Sequence, residues 1–141
     1  MQVHQLIYQS SLAVAVTPSH LRQLLPAWQI RNQAAAISGL LLYGEEGVMQ
    51  VLEGPAEQVH KAYARITHDR RHYNVCTVAD GVVPSRAFAQ WSMGFVQLDA
   101  PDLGRLAKHI SFEKPAQPEQ WPELMALLQE FVTREQYPFA G

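Results

Sequence analysis

Cysteine is nearly absent from this 141-residue chain, with Cys76 standing alone. One thiol excludes an intrachain disulfide, a cysteine-built metal cluster and a dithiol redox pair, and in a valine-rich stretch it reads as core. Long apolar runs are missing too. Nothing approaches the roughly 20 consecutive apolar residues of a membrane span, and Met1–Ser10 has neither the basic start nor the apolar stretch of a secretory leader. A cytoplasmic location without membrane contact is therefore expected. Charge of one sign is also scarce: 11 Lys and Arg against 13 Asp and Glu leave a net charge of -2. With no run of like charges, there is no footprint for nucleic acid. What the chain does have is apolar content, 48% hydrophobic against 17% charged, which suits one compact domain with a real core.

Along the chain, Val3–Ser10 alternates as a strand, with His4, Leu6, Tyr8 and Ser10 on one face and Gln5, Ile7 and Gln9 on the other. Thr17, Pro18 and Ser19 start a helix, along which Leu21, Leu24, Leu25, Trp28, Asn32 and Ala35 fall on one stripe. Pro26 predicts a kink or broken turn near Arg22–Pro26. Ala36–Tyr43 and Val48–Glu53 form a hairpin around Gly44, Glu45, Glu46 and Gly47, apolar enough to be covered on both faces. Gly54 and Pro55 open a second helix with an inner stripe of Val59, Ala62, Tyr63 and Ile66, and the i,i+4 spacing sets Arg65 beside Asp69 at its end. Tyr73–Ala79 and Trp91–Leu98 read as two more strands. Between them Asp80–Phe88 reads as an irregular connection, and Trp91, Met93 and Phe95 share a face. After Asp99 come a short helix over Leu103–Ile110 and a link through Pro115 and Pro118. A last helix follows Trp121 and Pro122. Its single apolar side, Leu124, Leu127, Leu128 and Phe131, is expected to cover the open face of the sheet.

This order predicts an α+β fold: a ferredoxin-like βαββαββ sheet with two helices on one face and the C-terminal helices on the other. Its first and third strands are central neighbours, and Tyr8 and Gln50 occupy them. Gln50 interrupts Val48, Met49, Val51 and Leu52, and an amide in a sheet interior needs partners. A slot between the helices, floored by Tyr8 and Gln50 and rimmed by Asn32, Arg65 and Asp69, suits a flat heteroaromatic ligand. Each residue also has a plainer reading. Gln50 can face solvent, Tyr8 can simply pack, and Asn32 can end a helix. Arg65 and Asp69 can form a surface pair, His72 can be a solvated loop histidine, and Trp91 and Met93 can be core.

Taken together, the motifs LIYQS around Tyr8, Asn32 ahead of ISGLLLY, MQVLEG around Gln50, RITHDRRH from Arg65 to His72, and WSMGF from Trp91 resemble the BLUF family. These are blue-light sensors that bind FAD, and the resemblance runs from about Val3 to Val96. It implies a photoreceptor and not an enzyme, with FAD as cofactor and the isoalloxazine ring between the two helices; no metal is expected, given the lone cysteine. Asn32, Arg65 and Asp69 match positions at the ring's polar edge, with Arg31 and His72 beside them and Leu24 and Ile66 as apolar contacts. Gln50 matches the glutamine that bridges flavin and tyrosine, and Tyr8 matches that tyrosine. Light is then expected to draw an electron and a proton from Tyr8 and leave Gln50 rotated or tautomerised in a red-shifted state. Trp91 and Met93 are the candidate relay, and Cys76 has no required part.

The chain departs from the family pattern at Arg31, where many members have an amide, at Gln29, where many have arginine, and at Pro26. These departures bear on spectral tuning and lifetime more than on binding. The expected division is a flavin-binding domain over residues 1–98 and a helical cap over 99–141. With no effector appended, output is expected through an unidentified signalling protein or self-assembly into a homo-oligomer. The apolar remainder of Trp121–Phe139, with Tyr137 and Phe139, either docks that partner or finishes the core. Two alternatives stand beside this reading. A flavin-dependent redox enzyme on the same scaffold would need an open substrate pocket and a proton-transfer group. An acylphosphatase-like hydrolase would need Arg31 and Asn32 in a phosphate-cradling loop, whereas they are adjacent on a helix.

Overall fold

The computed structural model describes residues 2–13, 16–44, 47–108 and 118–135. Five strands, β1 (Val3–Leu12), β2 (Ser38–Gly44), β3 (Gly47–Gly54), β4 (His72–Val83) and β5 (Gly94–Gln97), form one sheet in the order β4-β1-β3-β2-β5. β5 runs parallel to β2, and the other pairs are antiparallel. This is the predicted ferredoxin-like sheet with one added strand, and β1 and β3 are neighbours at its centre. Helices α1 (Pro18–Ala34) and α2 (Ala56–Thr67) connect the strands, and α3 (Ala100–Ala107), a 3-10 turn (Pro118–Gln120) and α4 (Trp121–Glu135) follow.

Period-two alternation sorts the side chains into two apolar layers. Leu6, Tyr8, Leu41, Leu52 and Phe95 join Leu21 and Leu25 of α1 and Val59 and Ala62 of α2 on one face. Ile7, Leu40, Leu42, Val51 and Val96 join Leu106, Leu124, Leu127, Leu128 and Phe131 on the other. The C-terminal helix therefore covers the open face as its pattern predicts.

Local chemistry sets the ends of α1. Thr17 Oγ1 accepts from the His20 backbone N–H at 3.1 Å, a side-chain N-cap. At the other end Ala36 takes a left-handed φ of 59°. Its N–H donates to the Gln33 carbonyl at 3.2 Å and that of Ile37 to Asn32 at 2.8 Å, a Schellman closure built on alanine in place of glycine. The broken turn predicted at Pro26 does not occur, because the helix runs unbroken through it. Pro26 and Arg22 are exposed, so the carbonyl that proline deprives of its donor is open to water.

Two strand boundaries also differ from expectation. β4 extends to Val83, taking in Asp80–Val83, because β1 begins early enough for Val3 to pair with Val83. β5 begins only at Gly94, so Trp91–Met93 lie ahead of the strand. The long connection between these strands is tied down by Glu53, at the end of β3 and 0% exposed. Its carboxylate accepts from the backbone N–H groups of Ala87 at 2.8 Å and Phe88 at 2.7 Å, and from Ser38 Oγ at 3.2 Å and Gln5 Nε2 at 3.3 Å. Arg86 donates to Ser38 Oγ and to the carbonyls of Glu53 and Ala36. Glu45, Glu46, Ile110, Pro115, Tyr137 and Phe139 lie outside the described residues.

Candidate functional site

Tyr8 of β1 and Gln50 of β3 are direct cross-strand partners, so their side chains rise together from the middle of the sheet. Both are buried, at 2% and 8% exposure. The Tyr8 hydroxyl donates to Gln50 Oε1. Burial raises the Tyr8 pKa far above the ordinary phenol value, with Tyr63 and Asp69 adding to the effect, so Tyr8 keeps its proton. Gln50 Nε2 in turn donates to Met93 Sδ at 3.3 Å. A thioether is a weak acceptor. The phenol–amide–thioether chain thus has one firm link and one soft one.

A second set of contacts frames this chain. The Tyr8 ring lies 5.4 Å from that of Tyr63 and 6.2 Å from that of His72. Tyr63 Oη is hydrogen-bonded to Thr77 Oγ1 at 2.7 Å, and Ser10 Oγ to His72 Nδ1 at 2.8 Å. Burial lowers the His72 pKa and favours the neutral ring.

Above the pair, between α1 and α2, opens a cleft of about 790 Å³ counted with its mouth and the solvent space there. Leu21, Trp28, Leu41, Val48, Leu52, Ala62 and Ile66 make its apolar walls, and Tyr8 and Gln50 lie among its lining. Arg31, Asn32, Arg65, Asp69, Arg71 and His72 supply the polar groups. Of the expected ligand contacts, Arg31, Asn32, Gln50, Arg65, Ile66, Asp69 and His72 are brought to this cleft. Leu24 is not: it is half-buried beside the stripe, while Leu21 lines the cleft.

Two further expectations are corrected. Asp69 pairs with Arg71 and not with Arg65, accepting from the Arg71 backbone N–H at 2.9 Å and from Nε at 3.0 Å. The i,i+4 geometry fails because α2 ends at Thr67, before Asp69. Hydrogen bonding from Arg71 lowers the Asp69 pKa. Trp91 does not share a face with Met93 and Phe95. It packs against the layer under α3 and α4, while Met93 and Phe95 belong to the layer under α1 and α2. The indole lies over Gly94, where a Cβ would fall 1.9 Å from its Cε3. Trp91 and Met93, the candidate relay, lie outside the cleft lining, and Met93 touches it through Gln50.

Two amides of α1 hold the segment that carries Met93: Asn32 Nδ2 donates to the Ser92 carbonyl at 2.7 Å and Gln29 Nε2 to that of Met93 at 3.1 Å. Sequence reasoning missed these bonds, and it missed Arg71, whose guanidinium lies 5.6 Å from the Trp28 ring centroid. Arg71 falls inside the RITHDRRH motif, and its place two residues after Asp69, beyond the helix, was the available signal.

An apolar slot whose lining holds three guanidinium groups, Arg31, Arg65 and Arg71, and one carboxylate, Asp69, fits a flat ring that carries an anionic tail. Residues 3–94 match the family described as sensors of blue light using FAD. The chain belongs to the BLUF family. Over 93 residues it is 31% identical to the blue light- and temperature-regulated antirepressor BluF of Escherichia coli K12, a match covering 66% of this chain and 23% of that protein. Over 96 residues it is 30% identical to the photoactivated adenylate cyclase subunit beta of Euglena gracilis, covering 68% and 11%. The chain thus spans less than a quarter of the length of these curated relatives. Among solved structures, the dark state of the BLUF protein BlrB is 27% identical with a TM-score of 0.73, over 95% of this chain and 97% of that one. The photo-activated state of BlsA, at 24% identity and a TM-score of 0.74 over 92% and 94%, shares the fold. Among the described residues of this BLUF chain, no helix is long and apolar enough to cross a membrane.

Proposed function

We propose that this BLUF chain is a blue-light photoreceptor that holds FAD in the cleft between α1 and α2 and uses the Tyr8–Gln50–Met93 chain as its switch. The observation that carries this reading is the bond from the buried, protonated Tyr8 to Gln50 at the cleft floor. When bound, FAD supplies a blue-light chromophore that becomes a strong oxidant on excitation. Tyr8 would give an electron to that oxidant while its proton moves along the existing bond onto Gln50 Oε1, and Gln50 would release a proton from Nε2 toward the ring in exchange. Gln50 must then rotate or tautomerise, because the atom that accepted a hydrogen bond has taken the proton. Release of its amide from Met93 costs little, since the sulfur held it weakly. Return of the electron and of the released proton to Tyr8 would leave Gln50 rearranged, which is the red-shifted state.

Asn32, Arg65 and Asp69 hold the polar edge, with Arg31 and His72 beside them and Ile66 packed on the ring. The altered Gln50 reaches Met93, and the strand that follows Met93, β5, packs against α4. Residues 1–98 form the sensing unit, and 99–141 the cap through which output leaves. The chain acts as a sensor and not as an enzyme, in keeping with the family's description. It works in the cytoplasm, on neither membrane nor nucleic acid, and signals to a partner protein or through a homo-oligomer. The test is the visible spectrum of purified, FAD-loaded protein in darkness, under blue light and again in darkness. A small red shift that relaxes without bleaching supports the reading, and a flavin spectrum indifferent to light overturns it.

A further inference from the structure

We propose that His4, His60 and Asp80 form a binding site for a divalent transition metal of zinc-like preference, tying α2 to the outer edge of the sheet. The three residues come from β1, α2 and β4, and none of them lines the cleft. His60 Nε2 lies 3.2 Å from Asp80 Oδ1, and His4 Nε2 contacts the same oxygen. All three ligand atoms fall within 4.8 Å of one another, and the two imidazole centroids are 4.6 Å apart. Bonds of about 2.0–2.2 Å in a tetrahedral site put neighbouring ligand atoms roughly 3.3 Å apart, close to the His60–Asp80 spacing. The His4 contact has to widen.

Two histidines and one carboxylate are the donor set of open zinc sites, in which water takes the fourth position. The exposure of the cluster supports that arrangement: His60 and Asp80 side chains are 49% and 43% exposed and His4 13%, so an ion can enter from solvent while β1 anchors one ligand. The two imidazoles now aim their Nε2 atoms at one carboxylate oxygen. A metal would displace the protons shared there. α2 carries Ala62, Arg65 and Ile66 into the cleft wall just beyond His60, so a bound ion restrains that wall. The expectation of no metal rested on the lone cysteine. This cluster escapes it because His4 and His60 lie 76 and 20 residues from Asp80 in the chain.

The test is calorimetric titration of the chelator-treated, FAD-loaded protein with zinc ion near neutral pH. One ion per chain is expected, with binding weakened at least about tenfold in His60→Ala and in Asp80→Asn, and unchanged in His20→Ala, which controls for the other histidines. Saturating zinc should raise the melting temperature of the wild type but not that of His60→Ala, whose metal-free melting should match the wild type. No saturable binding in the wild type, or wild-type affinity in both His60→Ala and Asp80→Asn, overturns the site.

Discussion

The sheet face under α3 and α4 is packed mainly by side chains such as Ile7, Leu42, Leu128 and Phe131, with Gln5 and Glu53 buried and bonded to each other at its edge, whereas the face under α1 and α2 sets the buried Tyr8, Gln50 and Asn32 around a cleft. The first face can do one thing well, which is to hold its shape, because close-packed apolar layers have few alternative arrangements. The second keeps a cleft and a hydrogen-bond chain ending on a weak sulfur acceptor, so it has a rearrangement within reach. Residues 91–93 join them. Trp91 is seated on the apolar face and Met93 on the polar one, two residues apart, with Asn32 and Gln29 gripping the backbone of Ser92 and Met93.

Substitutions that separate stability from switching would test that contrast. The largest expected effect is from Phe131→Ala on the apolar face, which should cost about 3–5 kcal/mol in urea unfolding while the folded fraction keeps its light response. Glu53→Ala should be of comparable size. It removes the charged acceptor of the Ala87 and Phe88 backbone donors, where hydrogen bonds to charged groups are worth about 1.5–3 kcal/mol each. It loosens the start of the 86–93 segment without touching the cleft lining.

On the polar face, Gln50→Leu should cost about 1–3 kcal/mol because it leaves the buried Tyr8 hydroxyl without its acceptor. Tyr8→Phe should cost a similar amount by orphaning Gln50 Oε1. The double variant should cost less than their sum, with a coupling of about 0.5–3 kcal/mol measurable by a double-mutant cycle. Additive losses would mean that the bond contributes nothing.

The smallest effect is that of pH. Burial lowers the folded-state pKa of His72 below its unfolded value of about 6.5, so the unfolded chain takes up the proton first. Its contribution is intact above that value and declines as pH falls toward the folded pKa. Asp69, held low by Arg71, follows the same sign but only below about 3.9. Melting temperature should therefore drop modestly between neutral and mildly acidic pH, and His72→Gln should flatten that part of the profile.

The pairing of Tyr8 with Gln50 was legible in the sequence because strand alternation and the handedness of crossovers together leave one central position for each. The same alternation misled at Trp91, where a strand was read three residues before β5 begins and the indole was set on the wrong face. Helical spacing misled at Asp69 for a similar reason: the rule presumes a helix that has already ended at Thr67. Glu53 was illegible altogether. A carboxylate at a strand end reads as solvated, and its burial depends on backbone donors more than 30 residues away. Local periodicity thus placed Tyr8 beside Gln50, while the ties around residues 86–93 come from loops whose paths have no periodic signature.

The central claim is that Gln50 converts the loss of a Tyr8 proton into a lasting change. The most direct test is the light-minus-dark visible absorption of FAD-loaded Gln50→Leu recorded beside the wild type. The account predicts a small, reversible red shift in the wild type and flavin binding without that shift in the variant. A full red shift in Gln50→Leu would contradict it.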